Sequence, residues 1–355
     1  MLASGGGMSY NSKKGCVARI CAEGCENEMK HVFIVNPVSG QADVSGTLVP
    51  QIAAAARELG IDYSIEFTRY HRHAVELACK AAAAGGSVRL YACGGDGTFG
   101  QVLQGAWQAP GAEVACVPCG SGNDFIRNYG TRQDFLDLPA LIGGSAVPID
   151  LIQTPFGVSA AICSAGLDAQ VAYGIPKFRR MPLCGGSMAY KLSIIQCLCG
   201  RLSHHLRIEI DGEAIEAHCL LAAVCNGTTY GGGYCAAPEA VLDDGLLDVL
   251  VVRKISRLKI ARVLGVYQKG KHIQNGRVEA GLEGIILYHR ARSVRVTPLD
   301  GRPLVVNLDG ECALQAGLEA SVLPLAGRIV LPRALTEKAL AQKGAVAMQC
   351  GIGPA

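Results

Sequence analysis

The sequence predicts an α/β domain with a parallel sheet, followed by a mostly antiparallel β-sandwich domain. Before about residue 148, short apolar strands alternate with helices of about a dozen residues, which is typical of βαβ units. After that point, closely spaced strands joined by turns are typical of an antiparallel sheet or sandwich. A length of 355 residues also favours two domains over a single core.

The elements of the first part follow one another in a regular order. The first strand, 31–37, is a short apolar run that ends at a proline, and the first helix, 47–59, ends at Gly60 as its C-cap. The remaining predicted elements are strand 61–68, helix 73–86, strand 88–93, helix 98–107 and strand 112–119. In the second part, helices are predicted at 187–200, 256–269 and 333–344.

These patterns divide the chain into four parts. Residues 1–29, rich in Gly, Ser and Lys, are predicted to be a flexible leader. Residues 30–148 form the α/β domain and residues 149–332 the β-rich domain. Residues 333–355 form a C-terminal helix and tail, for which packing on the first domain is one arrangement.

The charge pattern restricts the class of partner. The formal net charge is only +3, so we expect no nucleic acid as a partner. The segment 253–277, however, contains eight Lys or Arg residues and no Asp or Glu. It is either a solvated helix face or a patch that contacts anionic lipid headgroups.

The cysteines and the apolar runs indicate where the protein acts. The 16 cysteines are scattered and no secretory signal opens the chain, so we expect a cytoplasmic protein with reduced thiols. Cys116 and Cys119 form a lone CxxC without a second pair, which favours coincidence over a metal or redox site. No apolar run reaches roughly 18 residues, so we expect any membrane contact to be peripheral.

Three glycine-rich turns each follow an apolar strand of the first part. They are NPVSG at 36–40, GGDGTFG at 94–100 and GSGND at 120–124. In an open parallel sheet the carboxyl ends of the strands border the ligand crevice. Glycine allows the backbone to approach a phosphate, and backbone N–H groups there bind anions. The three turns together therefore predict a nucleotide-binding α/β domain.

Asp96 distinguishes this site from a dinucleotide fold. Residues 95–100 fit GxGxxG, but the acidic ribose ligand expected about 20 residues later is not at the end of a second strand. A carboxylate inside the glycine turn would repel a pyrophosphate unless a cation or a reacting hydroxyl lies between them. Asp96 thus indicates phosphoryl transfer with Mg²⁺, or else only a turn-forming Asx residue. From the sequence we expect Asp96→Asn to abolish transfer and to leave folding intact.

The three turns, in this order and spacing, resemble the diacylglycerol kinase catalytic domain, whose superfamily includes sphingosine, ceramide and bacterial lipid kinases. The resemblance continues through AGLDAQVAY (165–173), NGTTYGGGYCAAPEAVLDDGLLDV (226–249) and NLDGE (307–311). It extends from about His31 to Pro332. No GxxxxGK[ST], HRD or DFG motif is present, so the chain is built neither as a P-loop enzyme nor as a protein kinase.

The resemblance implies that ATP lies across the turns of the first domain. Ser121 stands where the family usually has Thr. The residues placed near the nucleotide are Asn36, Pro37, Val38, Ser39, Gly40, Thr68, Gly94, Gly95, Asp96, Gly97, Thr98, Phe99, Gly100, Ser121 and Asn123. Asn123 and the following Asp124 are equally explained as helix-capping residues.

The resemblance also implies a catalytic group and two further sites. Glu311 matches the family's proton acceptor and Asp309 lies beside it, although Asp-Gly is equally a hairpin signal. The sequence leaves open which of Asp96, Asp309 and Glu311 is the base. A structural Mg²⁺ is implied at the Asp244 side chain and the Val241 and Leu246 carbonyls, where a tight turn is the alternative. Asp168 would line the lipid site, and 173–182 would be a lid or a solvated loop.

The favoured function is an ATP-dependent lipid kinase, with diacylglycerol as the acceptor and ATP and Mg²⁺ as cofactors. A sphingoid or other lipid acceptor is an alternative, as is NAD kinase, although Gly227 after Asn226 replaces the Asn-Glu pair of that enzyme. A non-catalytic lipid- or nucleotide-binding protein is the third possibility. We expect a cytoplasmic protein associated peripherally with the membrane, and the sequence leaves its oligomeric state open, a homodimer included.

Overall fold

The computed structural model describes residues 29–40, 43–120, 122–179, 181, 187–200 and 202–339. Almost all of the predicted leader, Ser121 and the tail from 340 onward lie outside the described residues. Within them, a parallel α/β half precedes a mostly antiparallel sheet, so the predicted fold class is confirmed.

The first half is a parallel sheet covered by helices. Its elements are β1 (Lys30–Val35), α1 (Ser45–Leu59), β2 (Tyr63–Phe67), α2 (His73–Ala83), β3 (Val88–Gly94), α3 (Asp96–Ala106) and β4 (Ala112–Pro118). The strand order is β2-β1-β3-β4, with all pairs parallel. Every residue of β3 and β4 is buried, as expected for central strands covered on both faces.

Two helix boundaries bear directly on the site. The predicted C-cap of α1 is confirmed, since Gly60 adopts the left-handed conformation with φ 64°. Helix α3 begins at Asp96, two residues earlier than the sequence pattern indicated. Residues 96–100 are therefore the first turns of a helix and do not wrap a ligand as a loop. The N-terminus of α3 consequently points out of the carboxyl edge of the sheet.

A short helical segment and one long strand connect the two halves. A 3₁₀ turn (Phe125–Asn128), α4 (Arg132–Leu136) and α5 (Leu138–Ile142) lead into β5 (Ser145–Thr154). The last strand, β17 (Leu318–Leu331), pairs antiparallel with β5 and, at its end, parallel with β4. The sequence-based boundary at 148/149 falls inside β5, and the division into domains stays a prediction.

The second half is built around an antiparallel sheet. Its strands are β6 (Gly157–Ser159), β7 (Ile162–Gly166), β8 (His204–Ile210), β9 (Glu213–Cys225), β10 (Leu247–Arg253), β11 (Ile273–Gln274), β12 (Arg277–Val278), β13 (Ile286–Ala291), β14 (Ser293–Pro298), β15 (Leu304–Leu308) and β16 (Glu311–Gln315). The main order is β16-β15-β7-β9-β8-β14-β17, and β10 pairs with β9 and β13. This order places β16 at the edge of the sheet, separated from β7 by β15.

Helices cover one face of this second sheet. They are α6 (Leu167–Arg179), α7 (Ser187–Cys199) and α8 (Arg257–Gln268). Of the two interpretations of 173–182, the solvated loop is wrong through Arg179, because α6 continues through Pro176. The lid stays a prediction, and Arg180 and Pro182 lie outside the described residues. A further helix covers 333–339, and its Leu335 packs against the core of the first half. None of the helices in the described segments is both long and apolar enough to cross a bilayer.

Candidate functional site

Two of the glycine-rich turns are fastened to each other by their backbones. The carbonyl of Gly94 accepts hydrogen bonds from the amides of Cys119 (2.9 Å) and Gly120 (3.1 Å) and from the Asn123 side chain (3.0 Å). A Cβ added to Gly120 would lie only 2.5 Å from the Cα of Gly95. Glycine is required here because the two turns touch through their main chains.

The first turn, at 36–40, reaches the same edge. The side-chain amide of Asn36 donates to the hydroxyl of Thr98 (3.1 Å), at the start of α3. Gly40 has φ 94°, and a Cβ there would lie 2.9 Å from the carbonyl oxygen of Cys119. The amide of Thr68 donates to the carbonyl of Val35 (2.9 Å) beside this turn. The structure therefore brings the three predicted turns together at the carboxyl ends of β1, β3 and β4.

Asp96 holds the third turn in place. Its two carboxylate oxygens accept backbone hydrogen bonds from Asn123 (2.7 Å) and Asp124 (2.6 Å). A Cβ at Gly122 would lie 2.7 Å from one of these oxygens, which explains that glycine. Asp96 is therefore not a local Asx turn, since its partners are 27 and 28 residues away.

Asp124, for which the sequence left open a place in the third turn or a helix-capping role, connects this edge to the second half. It is 5% exposed, accepts the amide of Gly232 (2.6 Å) and lies 3.1 Å from Arg127 Nε. Burial, and next to it the charge of Asp96, raises the pKa of Asp124. The run of three glycines in GGGY at 231–234 is the sequence feature that allows such a close approach.

Several residues predicted near the nucleotide have other surroundings. Phe99 is buried and stacks on Phe125 at 4.6 Å between ring centroids, so its side chain belongs to the core. Gly100 faces the second half, where a Cβ would lie 3.6 Å from the Cβ of Asp309. Val38 is 85% exposed, whereas Ser39 is buried. Pro37 lies in the first turn, and a Cβ added at Gly97 would have no heavy atom within 4 Å.

Glu311, the first residue of β16, reaches across to the first half. Its Oε1 accepts a hydrogen bond from Gln101 Nε2 (2.6 Å), and its Oε2 lies 2.7 Å from Arg72 Nη1. His71 Nε2 is 3.8 Å from Oε1. The Glu311 side chain is 18% exposed, so part of it remains accessible to solvent. No pattern in the sequence indicated the contacts with Arg72 and Gln101.

The side chain of Asp309 has a structural role. With Gly310 it forms a two-residue turn between β15 and β16 in which both residues have positive φ (46° and 93°), so the hairpin interpretation of Asp-Gly is confirmed. Its carboxylate accepts the backbone amides of Ala160 (2.7 Å), Ala161 (3.2 Å) and Ile162 (2.9 Å). Burial raises the pKa of Asp309, and these hydrogen bonds oppose the rise. The group anchors the segment before β7.

Asp168, at the start of α6, is a buried carboxylate that makes no well-oriented hydrogen bond with the described residues, although the hydroxyls of Ser164 and Tyr230 lie near it. Burial raises its pKa, and the nearby hydroxyls of Ser164 and Tyr230 lower it by less. Burial raises the pKa of Cys312 to about 12, and the charges of Asp168 and then Glu311 add to that rise. Helix α6, which begins one residue before Asp168, packs against β16, the strand of Glu311 and Cys312.

At the turn predicted to hold a structural Mg²⁺, the Asp244 carboxylate pairs with an arginine side chain from β13. Asp244 forms an ion pair with Arg290 and also accepts the amide of Leu246 (3.0 Å). Val241 is 46% exposed. No group of three or more His, Cys, Asp or Glu within the described segments is arranged to hold a metal ion. Because a guanidinium supplies positive charge at Asp244, the cation site stays a prediction that would require Arg290 to move.

Asn226 bears on the NAD kinase alternative. Its side-chain amide donates to the carbonyls of Asp150 (2.7 Å) and Ala160 (3.0 Å), and the residue is 1% exposed. Asp150 in turn accepts the amides of Gly245 (2.6 Å) and Leu325 (2.8 Å). The side-chain amide of Asn226 is thus used in a buried network, which disfavours that alternative.

Comparison with known families explains this combination of a turn-rich α/β half and a β-rich half. Residues 30–154 match the diacylglycerol kinase catalytic domain, and residues 161–331 match the YegS C-terminal NAD kinase beta sandwich-like domain. A YegS-like probable lipid kinase of Shewanella frigidimarina is 31% identical over 69% of this chain and 76% of its own length. The chain belongs to the diacylglycerol kinase catalytic-domain family.

Further relatives support the same membership. The diacylglycerol kinase of Bacillus subtilis is 28% identical over 79% of this chain and 88% of its own length. A crystal structure of a diacylglycerol kinase from Bacillus anthracis superposes with a TM-score of 0.61 at 21% identity, over 86% of this chain and 98% of that one, and shows the fold. Another chain from the same organism superposes with a TM-score of 0.66 at 25% identity.

Proposed function

We propose that the protein is a lipid kinase that transfers the γ-phosphate of ATP to the hydroxyl of a membrane lipid. Diacylglycerol is the favoured acceptor and phosphatidic acid the product, because the relatives at 28% identity are named diacylglycerol kinases. The observation that carries the proposal is the joining of three glycine-rich turns at one sheet edge, with Glu311 reaching them from the second half.

The edge formed by these turns suits a triphosphate. The N-terminus of α3 lies there, and helix N-termini attract anions through their free N–H groups and the helix dipole. The turns expose main chain at Gly95 and Gly120, so phosphate oxygens can approach the backbone. ATP would therefore lie across the ends of β1, β3 and β4, near Asn36 and Thr68.

Mg²⁺ would arrive bound to the nucleotide as part of the substrate. Asp96 and Asp124 lie side by side at the nucleotide edge, and hard cations prefer such carboxylate oxygens. The hydrogen bonds that each accepts leave further lone pairs free, so these residues fit a metal–nucleotide complex. A divalent cation supplies charge neutralisation to the transferring phosphoryl group in such reactions.

Glu311 is the group best placed to take the proton of the lipid hydroxyl. Asp96 and Asp309 are committed to backbone amides, whereas Glu311 contacts only side chains and faces the cleft. The lipid oxygen attacks the γ-phosphorus, the bond from that phosphorus to the β–γ bridging oxygen breaks, and ADP leaves with that oxygen. The hydroxyl proton passes to Glu311.

Asp168 would receive the polar end of the lipid. A buried carboxylate without a well-oriented hydrogen bond is unfavourable in the free protein, so a ligand hydroxyl that donates to it would be bound well. Helix α6, which carries Asp168 in its first turn, packs against β16, whose first residue is Glu311. A hydroxyl bound to Asp168 would therefore lie on the side of the proposed proton acceptor.

Peripheral membrane contact would come from the α6–α7–α8 face. Ser193 of α7 bonds to Val171 of α6 (2.6 Å), and Arg257 of α8 bonds to the carbonyls of Leu198 (2.8 Å) and Gly200 (3.0 Å). The face exposes large apolar side chains; they are Tyr173, Met188, Ile195 and Leu258. The segments 169–200 and 253–278 contain no acidic residue. Apolar groups among cations suit a bilayer with anionic lipids.

The test is transfer of label from [γ-³²P]ATP to lipid in mixed detergent micelles. Diacylglycerol, a sphingoid base, a polyprenol and NAD are offered in parallel, with and without Mg²⁺. Label in the organic phase with diacylglycerol supports the full proposal, and label on another lipid corrects only the acceptor. Label on NAD, or no transfer to any acceptor, would overturn it.

A further inference from the structure

Arg72 has an unusual backbone conformation for its residue type. It lies at the N-cap of α2 with φ 65° and ψ 7°, in the left-handed region. An arginine is disfavoured there, because its Cβ approaches the following carbonyl oxygen. Residues kept in such conformations cluster at functional sites, where the surrounding contacts hold them. The contacts of its side chain therefore indicate what this residue does.

The guanidinium of Arg72 belongs to a chain of side-chain contacts across the two halves. Nη2 donates to Gln104 Oε1 (3.1 Å), and Nη1 donates to Glu311 Oε2 (2.7 Å). Gln101, one turn before Gln104 on α3, donates to Glu311 Oε1 (2.6 Å). Helix α3 thus supplies both glutamines, the N-cap of α2 supplies the arginine, and β16 supplies the glutamate.

We propose that Arg72 is the positioning residue that fixes the Glu311 carboxylate in the cleft. This inference rests on the proposed function, in which Glu311 accepts the lipid proton. Each carboxylate oxygen can accept two hydrogen bonds, so the contacts with Arg72 and Gln101 orient the group and leave acceptor capacity on both oxygens. Gln104 fixes the plane of the guanidinium, which a flexible cation such as lysine would not reproduce.

The location of Arg72, at the N-cap of α2, connects Glu311 with the nucleotide-binding half of the protein. Arg72 lies four residues after Thr68, at the carboxyl end of β2, so it belongs to the nucleotide edge and not to the lipid half. Arg72 therefore ties the position of the Glu311 carboxylate to the elements that would bind the ATP. A displacement of about 1 Å at a reacting group can lower a rate by about 100-fold, so this coupling matters for the reaction.

Three variants test the assignment. Arg72→Gly removes the guanidinium and suits the left-handed backbone, so it is expected to fold without loss of thermal stability. Arg72→Lys keeps a cation without the fork. Arg207→Ala is the matched control, since Arg207 forms an exposed ion pair with Glu209 (2.9 Å) on β8, away from the site. Each is also combined with Glu311→Gln.

We expect kcat to fall by roughly 10- to 100-fold in Arg72→Gly and to recover in part in Arg72→Lys. In Arg207→Ala, kcat should be the same as in the wild type. The KM for ATP is expected to stay within about twofold, because the effect is on the reacting group. In the Glu311→Gln background, measured by long incubation, Arg72→Gly should lower the residual rate no further. Wild-type kcat in Arg72→Gly, or the same fold-loss in both backgrounds, would overturn the assignment.

A second measurement separates this inference from the proposed function. Urea unfolding of wild type, Arg72→Gly, Glu311→Gln and the double variant gives the coupling between the two side chains without any activity. If the wild type transfers no phosphate to lipid, the proposed function fails. The unfolding cycle then still decides whether Arg72 holds Glu311, and additive midpoint shifts would show that it does not.

Discussion

The backbone amide of Asn123 donates a 2.7 Å hydrogen bond to the carboxylate of Asp96, and so fastens the turn after β4 to the first residue of α3. Asp124 donates to the other oxygen at 2.6 Å. In Asp96→Asn, one of these amides would face an NH₂ group. We expect loss of lipid phosphorylation together with a fall of about 1–3 kcal/mol in the free energy of unfolding.

The sequence led us to expect that Asp96→Asn leaves folding intact, and the two backbone hydrogen bonds now favour a loss of stability instead. Urea unfolding and label transfer from ATP measure the two effects separately. Asp62→Asn, at an exposed aspartate between α1 and β2, is the control and should change neither. Full activity in Asp96→Asn would remove Asp96 from the nucleotide site, and unchanged stability would contradict the role of its two hydrogen bonds.

Loss of charge at Glu311 should mainly lower the activity, whereas loss of charge at Asp309 should mainly lower the stability. Glu311→Gln is expected to lower kcat by about 10²–10⁴-fold, since a general base is lost. Its stability should change by less than about 1 kcal/mol, because its partner Arg72 is half-exposed. Asp309→Asn should instead destabilise by about 1–3 kcal/mol, because it accepts three backbone amides.

Steady-state kinetics and urea unfolding of both variants provide the check. A Glu311→Gln enzyme with normal kcat would eliminate Glu311 as the proton acceptor. If Asp309→Asn were as stable as the wild type, the anchoring of the segment before β7 would have been misassigned.

The sequence predicted those parts of the site that depend on local pattern. The turns at 36–40 and 120–124 could be placed together because parallel strands bring their carboxyl ends to one edge. The Asp309–Gly310 turn was equally local. By contrast, Arg72 meets Glu311 across 239 positions, and Asp124 meets Gly232 across 108. No periodicity or spacing encodes such pairs, because they depend on how the two halves pack.

The buried carboxylate of Asp168 predicts a pH-dependent stability. Burial raises its pKa in the folded state above the ordinary aspartate range, so over the interval between the two values the native protein binds more protons than the unfolded chain. The stability contributed by this group is therefore lost as pH rises through that interval. Asp168→Asn should be more stable than the wild type at about pH 8, and the difference should shrink near pH 4.

Unfolding free energies of both proteins at several pH values test this prediction. Asp211→Asn is a control of opposite sign: burial alone would raise the pKa of Asp211, but the amides of Arg292 and Ser293 lower it. That variant should be less stable than the wild type near neutral pH, with a difference that vanishes in acid. A pH-independent difference for Asp168→Asn would contradict the buried, unpaired environment.

The close approach of Gly120 and Gly95 should not tolerate a side chain. A Cβ at Gly120 would lie 2.5 Å from the Cα of Gly95, so Gly120→Ala must push the two turns apart. We expect a loss of about 1–3 kcal/mol in stability and weaker ATP binding, measured by urea unfolding and calorimetric titration.

Gly46→Ala, at an exposed position of α1 with no heavy atom within 4 Å, should be neutral or slightly stabilising. Equal ATP affinity in Gly120→Ala would show that the two turns do not form one nucleotide site.

The α6–α7–α8 face should bind anionic bilayers through both apolar and basic side chains. Leu258, at the start of α8, is 90% exposed, and full burial of a leucine contributes about 1.5–3 kcal/mol. Leu258→Ser should therefore weaken cosedimentation with phosphatidylserine vesicles by about tenfold or more.

Charge reversal on the same surface should weaken membrane binding by removing electrostatic attraction to the anionic lipids. Each basic residue near an anionic membrane contributes about 1 kcal/mol, so Lys191→Glu and Lys259→Glu should each weaken binding several-fold. This effect should fade in high salt, whereas the Leu258 effect should persist, because only the ionic term is screened. Leu59→Ser, at an exposed leucine of α1 in the other half, is the control and should bind as the wild type does. If all these variants bind equally to phosphatidylserine and to neutral phosphatidylcholine vesicles, this face does not contact the membrane, and the lipid must reach Glu311 from another side.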